Sequence, residues 1–213
     1  MSLVVEVVGE VGPFMENTYV VGDTASKLAW IVDPGGDLPR VSAALRSKQL
    51  SPVAVVLTHG HIDHVAGADE AHRHFGIPVW AHAAERELIE GLEMQAMMFG
   101  LPAPQSPPVA RNLEHDEELR LGELAARVIH TPGHSPGGIC LYFPEAKVLL
   151  TGDTLFRLSI GRTDLPGGDA RALLASIRER LFALEDEVVF YPGHGPGGTL
   201  GAERRMNPYV GDR

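Results

Sequence analysis

Pro52-Val53-Ala54-Val55-Val56-Leu57 runs without interruption into Thr58-His59-Gly60-His61-Ile62-Asp63-His64. The first six residues are apolar and rich in β-branched side chains. A run of that length reads as a strand buried on both faces, which requires a covering layer on each side. Helical spacing resumes over residues 65–75, so the intervening loop leaves a strand end and enters a helix. Neither a strand nor a helix has a packing use for three histidines and an aspartate at this density. Imidazole and carboxylate together suit zinc, iron or manganese. His59 and His61 alternate in an extended loop and can point the same way, while Asp63 and His64 turn toward a second position.

Working outward, residues 3–8, 19–21 and 28–32 read as successive strands. Asp33-Pro34-Gly35-Gly36 ends the third with turn chemistry, and Asp37 is placed to cap a helix carrying Val41, Ala44, Leu45 and Lys48 at helical spacing. Downstream, residues 78–81 read as a short strand and 83–99 as helix. Residues 101–108 hold four prolines and cannot be helix interior. Three more strands are expected over 124–130, 138–143 and 148–150, then a long loop over 153–168. Asp169 is expected to cap a helix presenting Leu173, Leu174, Ile177 and Leu181. A last strand follows over 188–191, with a short helix after Thr199. The pattern is α/β, with two mixed sheets and outer helices in a single domain over residues 1–213.

Three further residues stand where strands end in Gly or Pro: His134 after Pro132-Gly133, Asp153 after Gly152, and His194 between Gly193 and Gly195. Loops at strand ends are where open α/β sheets collect functional groups. With the early cluster this makes seven candidate ligands: His59, His61, Asp63, His64, His134, Asp153 and His194. One divalent ion cannot use all seven and keep an open position. Two ions, each with three terminal ligands and one carboxylate shared between them, use the whole set. His72, His74, His82 and His115 read as ordinary surface or core histidines, and His130 as a structural residue that supports a ligand loop.

Length and charge bound the rest. The chain has 213 residues, with 18 basic and 28 acidic side chains, for a net charge of −10. Without a basic cluster it is a poor partner for nucleic acid. The one cysteine, Cys140, excludes an internal disulfide, fits a reducing compartment and reads as core packing. No basic leader opens the chain, and no apolar run reaches the roughly 18 residues of a membrane helix. The expected setting is cytoplasmic, as monomer or homodimer, with no membrane partner. Residues 94–99, Met-Gln-Ala-Met-Met-Phe, fit a helix packing on the core or on a second subunit better than an apolar lip over the site.

Thr58-His59-Gly60-His61-Ile62-Asp63-His64, Pro132-Gly133-His134, Thr151-Gly152-Asp153-Thr154 and Tyr191-Pro192-Gly193-His194-Gly195 together resemble the metallo-β-lactamase superfamily. Gly152-Asp153-Thr154-Leu155-Phe156 and Gly161-Arg162-Thr163-Asp164 are most similar to its glyoxalase II group. The resemblance spans nearly the whole chain and implies an αβ/βα four-layer sandwich with the site along one edge. It implies a first metal on His59, His61 and His134, a second on Asp63, His64 and His194, and Asp153 between them. The implied cofactor is two divalent ions, zinc first, with iron or manganese as alternatives. The implied reaction is hydrolysis of a small-molecule, glutathione-derived thioester such as S-lactoylglutathione.

On that reading a water shared by the two ions attacks the carbonyl, with Asp63 and Asp153 as the catalytic carboxylates. Thr58 and Thr154 support the ligands, and Arg162 and Arg157 anchor an anionic substrate. The chain departs from full-length glyoxalase II in ending before that group's C-terminal helical glutathione-binding region. It also has Arg162 and Asp164 where that group has a glutathione-contacting Lys and Tyr, and Pro196 in place of a later Tyr. The secreted β-lactamases with a cysteine ligand match less well, since Asp153 stands at that position. The alternative within the superfamily is a persulfide dioxygenase with one iron on His59, His134 and Asp153.

Overall fold

In the computed structural model, which describes residues 2–212, fourteen strands and seven α-helices follow the chain. The first sheet is built from β1 (Leu3–Val11), β2 (Glu16–Asp23), β3 (Leu28–Val32), β4 (Ser51–Val56), β5 (Val79–His82) and β6 (Val109–Leu113), paired in that order. β1 to β3 are antiparallel, and β3 to β6 run parallel. The helices joining these parallel strands are α1 (Leu38–Lys48), α2 (Ile62–Val65), α3 (Ala68–Phe75), α4 (Arg86–Glu90) and α5 (Leu92–Phe99).

The second sheet contains β7 (Glu118–Leu121), β8 (Leu124–His130), β9 (Ile139–Phe143) and β10 (Val148–Gly152), with a two-residue hairpin, β11 (Leu155–Phe156) and β12 (Ser159–Ile160), looped out after them. α6 (Ala170–Ala175) and a π-helical turn lead to β13 (Val189–Pro192), β14 (Gly198–Thr199) and α7 (Leu200–Met206). The order is β14-β13-β10-β9-β8-β7, with β13 parallel to β10 and the other pairs antiparallel. Both sheets are therefore mixed.

Alternation along the strands creates the layers. In β2, Val20 faces one core with Val41, Leu45 and Ala68 from the helices, while Tyr19 and Val21 face another with Leu121, Val128 and Leu141 of the second sheet. Every residue of β2 is buried because both of its faces are covered. The far side of the second sheet packs Cys140 and Leu149 against Leu173, Ile177 and Leu200 of the following helices. The result is helix, sheet, sheet, helix, the four-layer αβ/βα arrangement expected. No helix among the described residues is long and apolar enough to cross a membrane.

Several element boundaries differ from expectation. The helix expected over 65–75 starts earlier and is interrupted between α2 and α3, where Gly67 donates its N–H to Pro34 O. The long helix expected over 83–99 opens as a 3-10 turn and divides at Gly91. β6, β7 and the β11–β12 hairpin were not anticipated. In α5 only Leu92 and Ala96 are buried, while Met98 and Phe99 line a cavity instead of packing inward.

Candidate metal centre

The C-terminal ends of β4, β8, β10 and β13 deliver the seven candidate ligands to one edge of the sandwich. His59, His61 and His134 bring one ring nitrogen each within 4.8 Å of the others, as do the ligand atoms of Asp63, His64 and His194. His134 Nε2 lies 2.8 Å from His61 Nδ1 and 3.3 Å from His59 Nε2. In the second group His194 Nε2 is 3.3 Å from His64 Nε2 and 3.2 Å from Asp63 Oδ2. Asp153 stands between the groups, with one oxygen 3.3 Å from His64 Nε2 and the other 3.5 Å from both His134 Nε2 and His194 Nε2.

Outer partners set the direction of each ring. His134 Nδ1–H donates to Arg162 O at 2.8 Å, and His194 Nδ1–H to Phe14 O at 3.1 Å. His64 Nδ1–H donates to Asp33 Oδ2 at 3.1 Å. The Thr58 hydroxyl donates to Asp33, which leaves it to accept from His59 Nδ1–H at 3.1 Å. Each of these four rings therefore turns its Nε2 inward, toward the others and toward two carboxylates, where it offers a lone pair whenever the ring is neutral. Asp153 Oδ1 is buried, and among the described residues no donor is placed for it beyond the His64 ring 3.3 Å away. Lone pairs and carboxylate oxygens at these separations repel unless protons or cations lie between them. Imidazole and carboxylate donors with fixed outer hydrogen bonds fit two divalent ions.

Electrostatics agree. Burial, and then the neighbouring imidazoles, holds His59 well below the ordinary histidine range and pushes His61 down to about 4. Burial also lowers His134. Burial would lower His64 and His194 too, but the Asp63 and Asp153 carboxylates outweigh it and raise both. Burial tends to raise Asp153, and the surrounding histidines more than reverse this, so it stays ionised. Metal-free, the centre thus holds protons where cations would otherwise sit.

Two glycines let the backbone come this close. Gly152, at φ +46°, turns the chain at the end of β10, and a Cβ there would stand 2.4 Å from Thr58 Oγ1. A Cβ on Gly193 would stand 2.2 Å from Asp153 Oδ1 and 2.6 Å from His64 Cε1. The loop after β13 is tied down by Asn17 Nδ2, which donates to Pro192 O at 3.1 Å and Gly195 O at 2.9 Å, and by the Tyr19 hydroxyl on Pro192 O.

Two supporting residues escaped sequence reading. In the sequence, Asp33 belongs to the Asp33-Pro34-Gly35-Gly36 turn. The parallel register that pairs Val32 with Val56 sets it beside Thr58, where its carboxylate accepts from the Thr58 N–H, the Thr58 hydroxyl and His64. An acid at the end of a strand next to the ligand-bearing strand was the available signal. Glu85 lay inside an expected helix. It is fully buried and accepts the N–H groups of Gly60 and Gly137, joining two ligand loops. Thr154 hydrogen-bonds Thr131 at 2.8 Å, behind the centre. His72 bonds Ile77 O, and His82 stacks on His130 at 4.2 Å, both away from the seven ligands. His130 donates to Pro136 O and so supports the His134 loop.

A cavity of about 560 Å³ opens onto the centre. His61, Asp63, His134, Asp153 and His194 face it, whereas His59 and His64 lie behind. Arg162 lines it, with its guanidinium held by both oxygens of Asp164 at 2.7 Å. Arg157 is exposed and stands outside the lining.

Residues 11–194 match the family model described as the metallo-beta-lactamase superfamily. The chain is 38% identical over 202 residues to hydroxyacylglutathione hydrolase GloC of Haemophilus influenzae, covering 94% of this chain and 95% of that one. The crystal structure of BLEG-1 B3 metallo-beta-lactamase is 38% identical with a TM-score of 0.89, covering 97% of this chain and 99% of that one. TTHA1623 in a di-iron-bound form is 40% identical with a TM-score of 0.86, covering 96% of this chain and 100% of that one.

Proposed function

The chain belongs to the metallo-β-lactamase superfamily, and from that premise we propose that it is a dinuclear metallo-hydrolase of thioesters, with S-lactoylglutathione as the reference substrate. The observation that carries this reading is the convergence of inward-facing imidazole nitrogens around Asp153, with the remaining carboxylate, Asp63, on the cavity side. His59, His61 and His134 would hold one ion, and Asp63, His64 and His194 the other. Asp153 would serve both. Zinc is the first choice, with iron and manganese compatible with the same donors. When bound, two such ions supply a water acidified toward neutrality and a Lewis acid for the carbonyl oxygen.

The chain's own groups do the rest. Burial favours the neutral form of Asp63, but His64 and His194 outweigh it and hold the carboxyl below its ordinary range. It therefore stays ionised and can accept a hydrogen bond from the attacking water. His134 and His194 are fixed in orientation by the Arg162 and Phe14 carbonyls, so little reorganisation is needed as the reaction proceeds. Arg162 is the cavity-lining cation for a substrate carboxylate, which must compete with Asp164 for it. A glutathione-derived substrate is supported by the GloC likeness, and we place the reaction in the cytoplasm.

The likeness to BLEG-1 favours a second substrate class, the β-lactam amide, on the same centre. A single-iron dioxygenase is not favoured, because it leaves Asp63, His64 and His194 without a role. The test is to load the purified protein with zinc, iron or manganese and assay three substrates: S-lactoylglutathione, a chromogenic cephalosporin, and glutathione persulfide with oxygen uptake. Thiol release from the thioester, without oxygen uptake, is expected. Cephalosporin opening alone, or no thiol release with any metal, would overturn the reading.

A further inference from the structure

The cavity wall beside the centre is apolar in a way that the lactoyl group does not require. Phe14, from the β1–β2 connection, packs edge-to-face on Phe99 of α5, with ring centroids 5.1 Å apart. Met98 lies next to Phe99 on α5, and Ile62 of α2 adjoins the ligand loop; all four side chains line the cavity. Met98 remains 57% exposed and Phe99 40%, so this apolar surface is not filled by the chain itself.

The wall is also firmly positioned. Leu92 and Ala96 anchor α5 in the core. Gln95 donates to Gly60 O at 3.0 Å and Leu88 O at 2.9 Å, and accepts from Ile62 N at 2.9 Å. α5 is thereby pinned to the loop that carries His59 and His61. Phe14 is fixed too, since its carbonyl receives His194.

Polar groups that could greet a hydroxylated acyl chain are few. Outside the seven ligands, the polar side chains among the described lining residues are Gln95, Ser159 and Arg162. Gln95 has its amide engaged as above, and Arg162 is paired with Asp164. The side chains of Phe14, Met98 and Phe99 themselves offer a hydroxyl no hydrogen-bond partner. An alkyl or aryl group would gain burial there.

We propose that the Phe14–Met98–Phe99 wall selects the acyl half of the substrate, and that the chain prefers thioesters of medium-chain or arylacetyl groups over lactoyl thioesters. This rests on the hydrolytic reading above and narrows its substrate class. Met98 and Phe99 are then specificity-determining residues.

The test uses the zinc-loaded protein and acyl thioesters of a neutral thiol, N-acetylcysteamine, with acetyl, lactoyl, hexanoyl and phenylacetyl groups. The expected kcat/KM for hexanoyl and phenylacetyl exceeds that for lactoyl by about tenfold or more. Phe99→Ala should lower the hexanoyl-to-acetyl ratio by about fivefold, and Phe99→Leu, which keeps apolar volume, should retain most of it. Titration calorimetry with the hexyl and methyl thioethers of the same thiol reads the wall without turnover, and the hexyl compound should bind about tenfold tighter. A lactoyl rate equal to or above hexanoyl, a ratio unmoved by Phe99→Ala, or equal thioether affinities would overturn the proposal. If no thioester is hydrolysed at all, the hydrolytic reading fails, and the thioether titration still decides whether the wall takes an apolar group.

Discussion

Asp33 illustrates how much depends on one side chain outside the ligand set. It adopts a left-handed backbone conformation at φ 49° and directs both carboxylate oxygens at the ligand loop. An asparagine there would offer one acceptor oxygen to the three donors that now share two. Asp33→Asn should weaken metal binding at the second position by about 10–100-fold, measured by competition with a chromophoric chelator. His61→Ala and Asp153→Ala should each abolish turnover and lower metal content, whereas His72→Ala should retain both. Near-normal rates in either of the first two would contradict the ligand assignment. Asp164, held down at about 2 by Arg162, offers another check. Asp164→Asn should free the guanidinium and lower KM for a glutathione thioester but not for an uncharged one. The clustering of the seven candidate ligands was legible because their types and spacing are chemically unusual. Asp33 and Glu85 were not, since a lone acid in a turn or a helix looks like any other until register or packing sets it against a ligand loop.

At the scale of elements, the ligand loops are joined by a few buried polar bonds rather than by packing alone. Glu85 bridges the Gly60 and Gly137 amides, and burial raises its pKa above the ordinary carboxyl range. Glu85→Ala would strand two buried donors and should reduce unfolding free energy by at least about 2 kcal/mol, read from denaturant curves. Glu85→Gln keeps one acceptor and should lose less. Strand positions such as 28–32 and 124–130 were legible because short, mainly apolar runs of strand length report burial directly. The short edge strands β6 and β7 were not. Residues 109–113 are mostly exposed and carry Arg111 and Asn112, so only pairing with β5 makes them a strand. The helix over 83–99 divides at Gly91, whose effect depends on how α4 and α5 dock.

At the scale of the molecule, the two sheets close a common core, and each contributes ligands from strand ends on the same edge. Nothing local announces that β13 runs parallel to β10, because that pairing joins segments separated by a hairpin, a loop and a helix. Metal binding should act on the whole fold. His64 and His194 are raised in the metal-free protein, so at neutral pH they tend to hold protons that the cations must displace. Binding should therefore release protons and weaken as pH falls. The thermal stabilisation from metal should be large at mildly alkaline pH and shrink toward acid, which scanning calorimetry with and without chelator will read. An unchanged difference across pH would contradict that linkage.

Anomalous diffraction from crystals of the metal-loaded protein, collected above and below the metal's absorption edge, addresses the proposed dinuclear centre most directly. Two peaks per chain are predicted, one among His59, His61 and His134 and one among Asp63, His64 and His194, with Asp153 reaching both. A single peak, or none within coordination distance of these side chains, would contradict it.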